Sequence, residues 1–93
     1  MIKTFRNRDT EKIWQESSPR SFPPDIVKRA YKKMLLISTS DDLSDLRNPP
    51  SNHLEKLSGN RAEQWSVRVN NQFRLCFEWK DGDIYNMELV DYH

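Results

Sequence analysis

The last three residues, Asp91, Tyr92 and His93, set a carboxylate, a phenol and an imidazole side by side. An imidazole exchanges protons near neutrality and serves as general acid or base. A phenol donates a hydrogen bond to a phosphate oxygen or stacks on a base. Two arginines, Arg68 and Arg74, flank the pair Asn70-Asn71. Guanidinium groups brought close together repel unless acids or an anion sit between them. A phosphate suits that gap, because arginine offers a planar fork of donors. The competing reading gives the arginines to Glu78, Glu88 or another acid on a solvated face, and makes the end of the chain a frayed polar tail.

The other reactive side chains carry weaker signals. His53 follows a proline-containing loop, where a histidine is ordinarily structural or solvated. Cys76 lies among hydrophobic neighbours with no partner that would make it a nucleophile. Two histidines and scattered acids show no HExxH or His/Cys spacing, so the metal expectation is none. GxSxG, P-loop and GxGxxG patterns are absent, which removes serine hydrolase, NTPase and dinucleotide chemistry. Lys28, Arg29, Lys32 and Lys33 fill one side of a helix. They form either a solvated face or a grip on an acidic partner or an RNA backbone.

Positioning these groups falls to recognisable elements. Met1–Arg6 reads as a short strand. A helix follows from Asn7 or Asp9 through Glu16, ended at Ser17-Ser18-Pro19 because proline cannot continue it. Pro23-Pro24-Asp25 opens a second helix whose apolar stripe is Ile26, Ala30, Met34 and Ile37. Residues 38–52 read as a loop with one helical turn near Asp42–Leu46, and Leu54 and Leu57 suggest a short strand. From Trp65 onward the pattern alternates. Trp65, Val67 and Val69 oppose Ser66, Arg68 and Asn70, while Phe73, Leu75, Phe77 and Trp79 oppose Arg74, Cys76, Glu78 and Lys80. Asn70-Asn71 and Asp81-Gly82 are turn signals that tolerate φ > 0, and a last strand runs from about Ile84 to Tyr92. Helices would cover one sheet face and leave the other, with Arg68 and Arg74, partly open. Strict alternation through the last strand puts Asp91 and His93 on the Met87–Leu89 face and Tyr92 opposite.

Composition bounds the remaining choices. A chain of 93 residues, 35% hydrophobic and 31% charged, supports one domain over 1–93 with a small core. Fifteen basic residues nearly balance fourteen acidic ones, so affinity for nucleic acid requires local segregation of charge. One cysteine excludes an intramolecular disulfide and fits a reducing, cytoplasmic setting. No apolar run nears the ~20 residues that span a bilayer, and no secretory leader is visible.

Four stretches together carry a family resemblance. They are Pro50-Ser51-Asn52-His53-Leu54-Glu55-Lys56-Leu57-Ser58-Gly59, Gln64-Trp65-Ser66-Val67-Arg68-Val69-Asn70, Phe73-Arg74-Leu75-Cys76-Phe77-Glu78-Trp79 and Val90-Asp91-Tyr92-His93. With Met1–Arg6 they make the chain resemble the HigB toxins, the plasmid-maintenance killer branch of the RelE-like toxins of type II toxin–antitoxin systems. The departures are Ser58, where a basic residue is frequent, Asn60, where an acid is frequent, and Phe73, where Trp often precedes the arginine. The resemblance implies an α+β RelE-like fold, with an N-terminal strand and two helices packed on a mostly antiparallel sheet of about four strands. It also implies a ribosome-dependent mRNA endonuclease that cuts A-site codons, inhibited by a HigA-like helix-turn-helix antitoxin. Operator DNA would be met only through that antitoxin, and no cofactor or membrane is involved.

On that resemblance the catalytic set is His53, Asp91, Tyr92 and His93, and the substrate-binding set is Lys56, Arg68, Arg74, Asn70 and Asn71. The implied reaction is metal-independent: the ribose 2′-OH attacks the adjacent phosphate, leaving a 2′,3′-cyclic phosphate and a 5′-OH. It needs a base, an acid and cations for the charge growing on phosphorus. His53 and His93 compete for the base, with Asp91 orienting or sharing the task. Two alternatives stay open: a non-catalytic module binding an antitoxin or RNA, and cleavage of another RNA such as rRNA.

Overall fold

A computed structural model describes residues 1–91; the expectations for Tyr92 and His93 lie outside the described residues. Helix α1 spans Arg8–Trp14 and α2 spans Pro24–Thr39. Short 3-10 turns follow at Leu43–Arg47 and Pro50–Asn52. Strands β1 (Glu55–Lys56), β2 (Trp65–Arg68), β3 (Phe73–Lys80) and β4 (Asp83–Asp91) form one antiparallel sheet in chain order.

The expected stripe builds the core. Ile26, Ala30, Met34 and Ile37 of α2 are buried against Val67, Leu75, Phe77 and Leu89 of the sheet. Fully burying one such large side chain contributes about 1.5–3 kcal/mol, so this layer dominates the fold's stability. Helix α1 starts where Asn7 accepts a hydrogen bond from the Thr10 backbone N–H at 2.9 Å. It ends differently from the expectation. Glu16 turns left-handed at φ 59°, and the Ser17 N–H reaches back to the Lys12 carbonyl at 2.8 Å. This closure satisfies the last carbonyls before Pro19 is reached. Helix α2 continues past Ile37 to Thr39, with the Ser38 and Thr39 hydroxyls donating back to the Leu35 carbonyl.

Three further expectations need correction. Met1–Arg6 forms no regular strand; it makes two isolated parallel bridges to β4, Ile2 with Ile84 and Phe5 with Met87. The interruption lies in β4, where Asn86 adopts φ 56° and gives its N–H to the Thr4 hydroxyl at 2.8 Å. An extra residue in one strand breaks a ladder in this way. Next, neither Asn70 nor Asn71 takes positive φ. The Asn70 carboxamide oxygen instead accepts from the Gln72 and Phe73 backbone N–H groups at 2.8 and 2.7 Å, holding the turn as an Asx motif. Asp81 and Gly82 do sit at φ 52° and 84°, the left-handed pair of a tight hairpin. Finally, the sheet face bearing Arg74 is not open: Ser66, Arg74 and Cys76 are all buried.

Beyond the bulge, the exposed edge of β4 is closed by a side chain. The buried Thr10 hydroxyl accepts the Leu89 N–H at 3.0 Å. Thr10→Val keeps the shape and strands that buried donor. It is expected to cost about 1–3 kcal/mol in urea unfolding, with the m-value unchanged; a cost near zero would show that the edge is solvated.

Candidate active site

Two residues that are distant in sequence meet at the site. His53 caps the 3-10 turn Pro50–Asn52 and is itself left-handed, at φ 44° and ψ 55°. Arg68 ends β2. Its Nη1 lies 3.4 Å from His53 Nε2. Arginine carries donors only, so this contact is a hydrogen bond when Nε2 bears its lone pair, the form a general base requires. The Arg68 guanidinium is aimed by its own turn: Nε donates to the Asn70 carbonyl at 3.2 Å, and Nη2 donates to the Asn71 carboxamide oxygen. His53, Arg68, Asn70, Asn71 and Arg74 together line a cleft of about 280 Å³.

Arg74 stands directly opposite Arg68 in the β2–β3 register, and the Glu55 carboxylate, 3.3 Å from Arg74 Nη2, offsets the repulsion expected between them. Arg74 is 9% exposed. Its Nε donates to Ser66 Oγ at 2.9 Å, and its Nη2 donates to the His53 carbonyl at 2.6 Å and approaches Glu55 Oε1 at 3.3 Å. Arg74 thus ties the backbone of His53 to the sheet. Its acid is Glu55 rather than Glu78 or Glu88. Glu88 is held by Arg61 at 3.0 Å, and Glu78 accepts from Asn86 at 2.8 Å and pairs with Lys80 at 3.6 Å.

The loop under His53 has a second anchor that residue spacing did not reveal. Asn52 is fully buried, donates to the Leu46 and Asn48 carbonyls at 3.2 and 3.1 Å, and accepts from Lys33 of α2. Burial, and then the neighbouring Arg29 charge, lower the pKa of Lys33 from its ordinary value. A polar residue between two prolines and a histidine gives no cue to burial; only the loop folding back on α2 reveals it.

The remaining candidates lie elsewhere. Lys56 is opposite Trp65 in the β1–β2 register, while Glu55 is opposite Ser66. Alternation therefore puts Glu55 on the Arg74 face and Lys56 on the other. The Lys56 ammonium sits 5.2 Å from the centre of the Trp65 ring as a cation–π contact. Asp91 pairs with Phe73, while Val90 pairs with Arg74. Asp91 is thus on the helix-covered face, as alternation predicts. Its carboxylate accepts from Gln72 Nε2 at 3.1 Å, so it braces the turn that carries Asn70 and Asn71. Burial first of all, with Glu88 adding and Arg61 and Arg74 opposing, raises the pKa of Cys76, which keeps the thiol protonated and unreactive.

Among solved structures, the fold is similar to the toxin–antitoxin proteins of two Staphylococcus aureus YoeB–YefM complexes. In the heterotetrameric complex the match has a TM-score of 0.63 at 20% identity, over 100% of this chain and 95% of that one. The other gives 0.59 at 17% identity, over 100% and 98%. The shared fold is two helices on a four-stranded antiparallel sheet, and the family model that the chain matches puts it in the RelE-like class. Within that class, residues 3–93 match the family model described as the RelE-like toxin of the type II toxin–antitoxin system HigB, and the chain belongs to that family. It is 33% identical over 90 residues to Toxin HigB-1 of Vibrio cholerae, covering 96% of this chain and 95% of the relative. It is 28% identical over 93 residues to Endoribonuclease HigB of Proteus vulgaris, covering both chains in full. Membership of a toxin–antitoxin family brings an antitoxin as partner class. Among the described residues, no helix is long and apolar enough to cross a membrane.

Proposed function

We propose that this toxin is a cytoplasmic endoribonuclease that cuts mRNA in the ribosomal A site and is held in check by a HigA-like helix-turn-helix antitoxin. The observation that carries the reading is the shared cleft of His53 and Arg68, whose Nη1 lies 3.4 Å from Nε2, a contact the substrate hydroxyl replaces when Nε2 acts as the base. The His53 imidazole takes the 2′-OH proton as the oxygen attacks phosphorus. Arg68, backed by the positive charge of Arg74, stabilises the phosphorane. Asn70 and Asn71 border the codon. The leaving 5′-oxygen takes its proton from the last residues, Tyr92 or His93, and Asp91 positions the turn through Gln72. Lys56 binds RNA from outside the cleft, on the Trp65 side. The ribosome orders the message, which lets an open cleft of this size work without enclosing its substrate.

Side chains supply base, acid and cations in this scheme, so metal removal is expected to leave it intact. Ribosomes carrying a defined message should yield fragments with 2′,3′-cyclic phosphate and 5′-OH ends at A-site codons. After loading, chelating the free transition metals while magnesium is held constant should leave the single-turnover rate within about twofold, well short of the 10²-fold or more that losing a chemical group costs. Intact message, or cleavage that stops with chelation, would refute the scheme.

A further inference from the structure

The cleft of His53 has a neighbour. Arg29 and Lys33, a turn apart on α2, line a second cleft of about 300 Å³ together with Ser51, Arg68, Asn70 and Asn71. Arg68, Asn70 and Asn71 are common to both clefts. Arg68 therefore stands between the general base on one side and two helix cations on the other.

The charges around this second cleft are unbalanced. Among the described residues no carboxylate forms an ion pair with Arg29, Lys33 or Arg68. Asp25, one turn before Arg29, does not pair with it either. Three cations gathered without an acid repel one another; burial first lowers the pKa of Lys33, and the Arg29 charge lowers it further. Such an arrangement is relieved by an anion. Arginine offers a planar fork to phosphate, and the lysine ammonium keeps two donors beyond the one given to Asn52. Besides Val69, the remaining lining groups are a serine hydroxyl and two carboxamides, neutral donors that suit the same guest.

We propose that Arg29 and Lys33 form a second phosphate subsite, which holds the substrate-strand phosphate next to the scissile one. The inference rests on the reading of the first cleft as the place where RNA is cut. The shared Arg68 wall favours the substrate strand over a separate RNA, because one strand leaving the His53 cleft past Arg68 enters the second. Phosphate contacts of this kind fix register and carry no base information. The subsite would set how the codon is threaded, and would not choose its sequence.

Salt dependence tests the subsite directly. Binding of labelled, uncleavable 2′-O-methyl dinucleotide and hexanucleotide would be measured by anisotropy across a range of salt. Each phosphate contact on a single strand contributes about 0.7 to the slope of log affinity against log salt. Arg29→Gln with Lys33→Gln, which empties the subsite, should lower the hexanucleotide slope by roughly 0.7, and Arg29→Gln alone, an exposed change outside the Asn52 network, should lower it by part of that amount. The dinucleotide slope should not move. Unchanged hexanucleotide slopes would overturn the subsite, and equal losses on both probes would assign the helix cations to the scissile phosphate instead. On ribosomes, a message with a neutral methylphosphonate beside the scissile phosphate separates the two RNA sources. The wild type should lose rate on it, and Arg29→Gln should lose no more. Additive losses would give Arg29 to ribosomal RNA and overturn the proposal. A wild type that cuts no message would sink the endoribonuclease reading, while the binding slopes would still report on the subsite.

Discussion

Arg74→Ala is expected to lower the unfolding free energy by about 2–4 kcal/mol, the range for leaving partners of a buried charged group unsatisfied. Three neighbours lose a donor at once: Ser66 Oγ, the His53 carbonyl and Glu55. For a chain of this size that corresponds to a fall in Tm on the order of 10–20 °C. The three partners are not equivalent. Glu55 has a half-exposed side chain, and Glu55→Gln should cost no more than about 1 kcal/mol because water screens the pair. The larger share comes from Ser66, which is fully buried, and from the backbone of His53. Arg74→Lys retains the charge but not the fork, since one ammonium cannot reach along both directions that Nε and Nη2 serve. It should recover less than half of the lost stability. Activity falls as well. Measured well below the melting transition, cleavage by Arg74→Ala should drop about 10²-fold, because the His53 backbone loses its tie and small displacements of a reacting group are that costly. A variant melting within a few degrees of the wild type would show that the loop holds His53 without Arg74.

That dependence on a buried arginine marks where sequence reading stops. The stripe Ile26, Ala30, Met34 and Ile37 is legible because one helix face repeats locally, and Asp81-Gly82 because a tight hairpin demands left-handed residues. Alternation also separates Arg68 and Arg74 from the core side chains. It cannot show that residues 49–57 fold across the arginine face, which turns an expected open basic surface into a buried Arg74 and an available Arg68. The same loop decides Lys56. Its position opposite Trp65 follows from the β1–β2 register, which a two-residue strand does not announce. The N-terminal segment reads as a strand from its own residues, yet its pairing is broken by Asn86, eighty residues away. The His53–Arg68 contact is of the same kind. Either residue alone reads as ordinary, and only the resemblance to HigB toxins raises His53 to a candidate, whereas the fold supplies the partner that gives its imidazole a direction.

Replacing His53 should separate chemistry from scaffold, since activity is expected to fall without a matching loss of stability. His53 is a non-glycine residue held at φ 44°, a conformation that costs an L residue roughly 1–2 kcal/mol. Its side chain is exposed, so little packing is lost when it is removed. His53→Gly relieves the backbone and gives back part of that gain through the greater freedom of the unfolded glycine. The net expectation is a chain as stable as the wild type or up to about 1 kcal/mol more so. His53→Ala keeps the strained backbone and should be no more stable than the wild type. Both variants lose the imidazole and with it the proposed general base, so on that proposal A-site cleavage should fall about 10²–10⁴-fold in each, with ribosome binding retained. The contrast with Arg74→Ala is diagnostic: there stability and rate fall together, whereas in His53→Gly the rate falls in a protein that is at least as well folded. Full cleavage by the glycine variant would remove His53 from the chemistry and leave the base to be sought in the last residues of the chain. A rate loss that appeared only in proportion to lost stability would make His53 a support for the loop rather than a catalytic residue.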